Sequence, residues 1–334
     1  MKVPPAHWAH LSQIADFAEL ECLRSTGRDV SVTDVARVLA RSGVAQDDTE
    51  RPSDDDKVRP IVQEAFDDIA LRARHCGADS RYPFSLSDSG AVIHLKSMTS
   101  DESILYQYLL LATRLNMQLQ RIQAKEDGTK LFELLCGEVA KNFFSSRSQA
   151  ASSLVFGTGR IEKPRDNEAE VKETEFARSV DELCAFMEEG NGFENHSRST
   201  RITAKDGRLD VVVRKPFSDG RSGHFLGMGQ CKTGTNWRNS VDSLQPENFV
   251  SKWVRTRPAF VPIRMFFVAE RVGSEWTDLA MDAGLFFDRC RIIENADFVS
   301  SDLRKKIKSW VEAGRKSLLG EDDNRAPLKI VIFS

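Results

Sequence analysis

The chain lacks most of the marks that decide a protein's class at a glance. No apolar run in its 334 residues approaches the roughly 18 needed to span a membrane. The opening stretch MKVPPAHWAH has no apolar core of the signal-peptide kind. The six cysteines (Cys22, Cys76, Cys136, Cys184, Cys231, Cys290) are scattered, with no CxxC pair. They predict reduced core thiols of a cytoplasmic protein rather than disulfides or zinc ligands. The six histidines form no cluster, which argues against zinc or imidazole chemistry. The Gly157-Thr158-Gly159 stretch lacks the Gly-Lys-Ser/Thr that grips phosphates, so it is no phosphate loop. There is no internal repeat, and no overall basic excess, the formal net charge being −3.

What is present is a globular composition, 40% apolar and 29% charged, long enough for two domains. The charge is unevenly spread. Residues 201–264 carry 12 basic and 5 acidic side chains, a local +7 in an otherwise acidic chain. Such a stretch is either the footprint of a polyanion or a solvated strand-and-turn surface.

Periodicity predicts helices over 6–25, over SVTDVARVLARSG (capped by Ser31 or Thr33) and over 57–76, then a hairpin about Asp88-Ser89-Gly90. Three helices and a hairpin are the order of a winged helix over 1–96. The third helix carries Glu64, Asp67 and Asp68, the wrong sign for phosphate, so a plain helical scaffold competes with it. A capping box at Thr99–Glu102 and two strongly apolar helices follow, SILYQYLLLATRL and TKLFELLCGEVAKNFF. SSRSQAASS and FGTGRIEKPRDN look like loops. The expected organisation is α/β (α+β), with a helical N-terminal domain at 1–160 and a second domain at 161–334. The second domain reads as one helix ended by Gly190, STRITA and GRLDVVVRK paired through Lys205-Asp206-Gly207, the strand HFLGMGQCK, and the helix PENFVSKWVRT. The strand RMFFVAER, the helix SEWTDLAMDAG, the strand LFFDRCRIIE and a closing basic helix lying beyond the core complete it.

Chemistry concentrates at the end of HFLGMGQCK. Strand alternation sends Gln230 and Lys232 to one face and Cys231 to the other. Asp210 lies on the neighbouring strand. A carboxylate, an amide oxygen and an ammonium at one sheet edge suit phosphodiester hydrolysis. Mg²⁺ takes oxygen ligands and polarises phosphate and water, and a lysine stabilises the charge that develops on phosphate.

Asp-x(n)-(Asp/Glu/Gln)-x-Lys on an α-β-β-β-α-β order resembles the PD-(D/E)xK, or restriction-endonuclease-like, superfamily. Gly229-Gln230-Cys231-Lys232 is similar to the Gln-x-Lys variant of Mrr-like restriction enzymes and Holliday junction resolvases. The resemblance covers about 166–300 and implies a Mg²⁺-dependent deoxyribonuclease, with Mn²⁺ able to substitute. It implies Asp210 as the central metal ligand, the Gln230 amide as the second and Lys232 as the catalytic lysine. It also implies a first-helix glutamate. Glu168, Glu175 and Glu182 share a face at seven-residue spacing, and Glu175, beside Phe176, is preferred. Leu209 stands where the family's Pro is usual. The resemblance implies DNA as partner and a role in prokaryotic restriction or anti-phage defence. The N-terminal domain would then sense, form a homodimer, or contact a partner defence subunit. A non-catalytic nucleic-acid-binding or assembly subunit and a Holliday junction resolvase stand as alternatives.

Asn236, Trp237 and Arg238 beyond the strand, and Lys252, Arg255 and Arg257 around the next helix, are candidate DNA contacts. Equally, Trp237 and Trp253 read as core aromatics. His224 reads as a surface-turn histidine.

Overall fold

The computed structural model describes residues 11–25, 27–44, 55–76, 81–96, 103–115, 117–157, 168–196, 208–273 and 275–319. The chain is mixed α/β. Its first elements are α1 (Leu11–Arg24), β1 (Asp29–Ser31), α2 (Val32–Val44), α3 (Asp55–His75), β2 (Phe84–Leu86) and β3 (Val92–Leu95). The three strands form an antiparallel sheet of order β1-β3-β2. That is the element order of a winged helix, completed by a short strand that sequence periodicity does not reveal. α2 begins at a reciprocal cap: Ser31 Oγ accepts the Asp34 N–H while Asp34 Oδ2 accepts the Ser31 N–H, both at 3.1 Å.

α4 (Ile104–Arg114) follows, then a two-residue hairpin of β4 (Ile122–Gln123) and β5 (Glu126–Asp127), and α5 (Gly128–Phe144), capped by Asp127 on the Thr129 N–H at 2.9 Å. The expected Thr99–Glu102 capping box lies outside the described residues.

The larger sheet has order β10-β9-β8-β7-β6. It consists of β6 (Ser152–Val155), β7 (Val211–Lys215), β8 (Phe225–Lys232), β9 (Ile263–Val268) and β10 (Leu285–Phe287). The β6–β7 and β7–β8 pairs are antiparallel, while the β8–β9 and β9–β10 pairs are parallel. α6 (Glu168–Met187) precedes β7. α7 (Pro246–Trp253) links β8 to β9, and α8 (Trp276–Ala283) links β9 to β10. α9 (Arg289–Glu294) and α10 (Ser301–Leu319) close the chain.

Helices cover both faces of this sheet, as its near-continuous apolar strands require. Val211 and Val213 join α1, α4, α5 and α10 in one buried cluster. Val212, Leu226 and Met228 join α6 and α7 in another. The first cluster runs from Ile14 to Val311, so the boundary placed at residue 160 cuts between β6 and the sheet to which it belongs.

Four expectations are corrected. Ser152–Val155 is the sheet's edge strand, not a loop, because Leu154 and Val155 lie opposite Val212 and Val211. LFFDRCRIIE is a strand only to Phe287; Asp288 accepts the Arg291 N–H and starts α9. α10 is not beyond the core: Trp310 is fully buried against Tyr108. Cys76 and Cys290, 214 residues apart, form a disulfide, while Cys22, Cys136, Cys184 and Cys231 are free thiols. STRITA and its turn lie outside the described residues. Among the described residues no helix is long and apolar enough to cross a membrane.

Candidate active site

β7 and β8 bring the motif together. Val211 pairs with Gly229, yet the Asp210 N–H also donates to the Gly229 carbonyl, at 3.0 Å. Two residues thus face one, the arrangement of a β-bulge. The bulge breaks the alternation: Leu209 and Val212 pack in the same cluster although they are three residues apart. Asp210 is thereby re-aimed. Its Oδ2 accepts the Cys231 N–H at 2.7 Å, and its charge adds to the burial that raises the Cys136 and Cys231 thiols. Beneath the bulge, Gly229 allows close packing, since a Cβ there would fall 2.9 Å from Phe267 Cε2.

Asp210 is desolvated. Burial raises its pKa from 3.8 to about 6, against the pull of the Cys231 N–H and the Lys232 charge. Gln230, across the strand pair, is buried, with its amide 2.7 Å from Ser243 Oγ. Lys232 is half-buried at the strand's end, and no hydrogen bond or ion pair engages its ammonium among the described residues. Asp210, just before β7, and Lys232, at the end of β8, lie close enough for the Lys232 charge to act on the carboxylate, while Gln230 makes no hydrogen bond to either. Glu175 is half-buried on α6 beside Phe176, which packs on Phe156, whose N–H donates to the Asp210 carbonyl. Its side chain makes no hydrogen bond or ion pair with Asp210, Gln230 or Lys232, so the third expected ligand is not brought in. Glu182 is exposed, and the Glu168 side chain lies outside the described ones.

No family model, curated protein or solved structure matches the chain. The reading of the site thus rests on its own geometry.

The donor types present, the Asp210 carboxylate and the Gln230 amide, are those a hard divalent cation takes. The carboxylate is held by the Cys231 N–H and the Lys232 charge against its burial. Mg²⁺ commonly takes one or two protein oxygens and keeps its waters. Among the described residues, no three His, Cys, Asp or Glu side chains converge.

The expected DNA contacts divide. Asn236, Lys252, Arg255 and Arg257 are exposed, though Arg255 Nε lies 3.5 Å from Glu194. Trp237 and Arg238 are corrected. Trp237 is 1% exposed among Phe266, Phe286 and Val268, and its Nε1 donates to Glu270 at 2.6 Å. Arg238 stacks over that ring and pairs with Glu270 and Glu275. Trp237 is closed to a base, and the half-buried Arg238 guanidinium is taken up by two carboxylates. His224 is also buried rather than on a surface turn, with Nε2 3.3 Å from Glu188.

Sequence reasoning missed Glu270. It follows β9, whose Val268 pairs with Lys232, so it sits beside the candidate site. Fully buried, it binds Arg114 (3.0 Å), Trp237 and Arg238. Arg114 reaches Asp16 at 2.6 Å, and Asp16 also binds Arg72 and Arg289. Against burial, Arg114, Arg289 and Arg72 hold Asp16 well below the usual carboxylate range. Three buried arginines face three buried carboxylates, Asp16, Glu19 and Glu270. Their partners lie up to 273 residues apart, and no local pattern signals them.

Proposed function

We propose that the chain is a metal-dependent phosphodiesterase of PD-(D/E)xK type acting on DNA. The observation that carries this reading is the bulge-aimed, desolvated Asp210 at the same end of the β7–β8 pair as Gln230 and Lys232. Asp210 and Gln230 would hold Mg²⁺, or Mn²⁺ in its place. Bound there, the ion supplies polarisation of a phosphate oxygen and of a water molecule. The Cys231 N–H fixes one Asp210 oxygen and leaves the other for a ligand. Lys232, half-buried and without a hydrogen bond or ion pair among the described residues, stabilises negative charge developing on the phosphate. Arg255, Arg257 and Lys252 supply exposed cations for the backbone. Restriction or anti-phage defence is the setting this chemistry suits.

A second reading, a non-catalytic nucleic-acid-binding or assembly subunit, draws on the missing third ligand: Glu175 makes no hydrogen bond or ion pair with Asp210, Gln230 or Lys232. Plasmid DNA incubated with the protein and Mg²⁺, Mn²⁺ or EDTA separates the two. The nuclease reading expects cleavage with either metal and none with EDTA. Asp210→Ala or Lys232→Ala should lower the rate by about 10²–10³ or more while leaving the circular dichroism spectrum unchanged. Wild-type rates in either folded variant would exclude this site.

A further inference from the structure

Ser243 holds a hydrogen-bonding conflict that decides which end of the Gln230 amide it engages and which end is left open. Its Oγ lies 2.7 Å from Gln230 Oε1 and also 2.7 Å from the Ser240 carbonyl. A serine hydroxyl has one proton and cannot donate to both oxygens. The Ser240 bond is the local one. It spans three residues of the turn at Arg238–Ser240, where Ser243 N–H donates to the same carbonyl at 3.1 Å, and side-chain back-bonding of this kind is common for serine. With its proton committed there, Ser243 Oγ offers only lone pairs to Gln230. Two oxygens at 2.7 Å with no proton between them repel. Rotating the amide by half a turn removes the conflict, since the amide nitrogen then donates to Ser243 Oγ. Amide orientation is assigned from such networks rather than from atom positions.

The far end of the amide has no competing claim. No other hydrogen bond to Gln230's side chain exists among the described residues, although the residue is 2% exposed. The rotation therefore breaks no hydrogen bond among the described residues and turns Oε1 away from Ser243.

We propose that Ser243 is a positioning residue, holding the Gln230 amide nitrogen so that the amide oxygen is presented as a ligand. The idea rests on the metal-dependent reading above. It explains how a neutral glutamine serves where a carboxylate would offer oxygen at both ends. Neighbours that orient a metal ligand are typically worth about 10–100-fold in metal affinity.

The test measures Mn²⁺ binding by electron paramagnetic resonance on the full-length protein without DNA, alongside plasmid cleavage. Ser243→Ala should weaken Mn²⁺ binding by about tenfold or more and raise the metal concentration needed for half-maximal cleavage. Ser243→Thr, which keeps the hydroxyl, should restore both. The decisive arm uses Gln230→Glu. A carboxylate carries oxygen at both ends, so adding Ser243→Ala to that background should change Mn²⁺ affinity less than twofold. An equal loss in both backgrounds would assign Ser243 a packing role and overturn the proposal. So would wild-type Mn²⁺ affinity in Ser243→Ala while the parent protein binds and cleaves. If the parent neither binds Mn²⁺ nor cleaves, the nuclease reading falls first and this inference with it.

Discussion

Asp210 carries a charge in a place that disfavours it. Its pKa is raised from 3.8 to about 6, so the folded chain holds this proton more tightly than the unfolded chain does. The stability tied to that proton is fully present below about 3.8 and is lost as pH rises through about 6. Asp210→Asn keeps an acceptor for the Cys231 N–H and removes the charge. In EDTA at pH 7.5 it should be more stable than wild type by about 1–3 kcal/mol, the gap closing by about pH 4. Calorimetry at the two pH values checks this. A constant gap across the range would mean that the carboxylate is not desolvated. At the same scale, the positions of Asp210 before β7 and of Gln230 and Lys232 at the end of β8 were legible because strand spacing suffices to place them. Trp237 and Arg238 were not: adjacent aromatic and cationic residues look alike whether they meet DNA or a buried glutamate.

The elements were read best where local chemistry decides them. α2 starts at Ser31 because its hydroxyl and the Asp34 carboxylate satisfy each other's backbone N–H groups. Ser31 holds the Asp34 pKa below its ordinary value through side-chain and backbone hydrogen bonds. A lowered carboxylate contributes stability above its unfolded pKa and loses it as pH falls through the folded one. Ser31→Ala should cost about 1 kcal/mol in urea unfolding at neutral pH, and less in acid. Gly229→Ala tests the bulge from below: its methyl meets Phe267 at 2.9 Å and Met265 Cε at 3.3 Å, and overpacking of this kind costs about 1–3 kcal/mol. A neutral Gly229→Ala would show that the sheet yields there. β1, β6 and the bulge escaped notice because three- or four-residue strands and one extra residue leave no periodicity to read.

Across the whole molecule, buried charge ties the winged-helix-like elements to the large sheet. Arg289 on α9 reaches Asp16 on α1 at 2.8 and 2.9 Å, and Arg72 on α3 reaches the same carboxylate. Replacing one member leaves an uncompensated buried charge, so Arg289→Met should cost about 3–5 kcal/mol. Breaking the exposed Lys306–Asp302 pair should leave the urea midpoint unchanged. Equal effects would mean that the network is not buried. The Cys76–Cys290 bond spans the same junction, between the residue after α3 and α9. Thiol titration in denaturant should count four thiols in the unreduced protein and six after reduction. Six at the start would leave the junction to packing and ion pairs alone.

The sequence by itself determined the helices α4, α5 and α6, the hairpin of β2 and β3, and the placing of Asp210 just before β7 and of Gln230 and Lys232 at the end of β8. Each follows from spacing within about twenty residues, where backbone geometry alone relates the side chains. Tertiary structure decided the rest. It turned Asp210 through a bulge, placed Ser243 against Gln230, and spent Trp237 and Arg238 on Glu270. It also joined cysteines 214 residues apart. These depend on which distant group fills the space beside a residue, a matter of three-dimensional packing and charge balance that spacing along the chain does not encode.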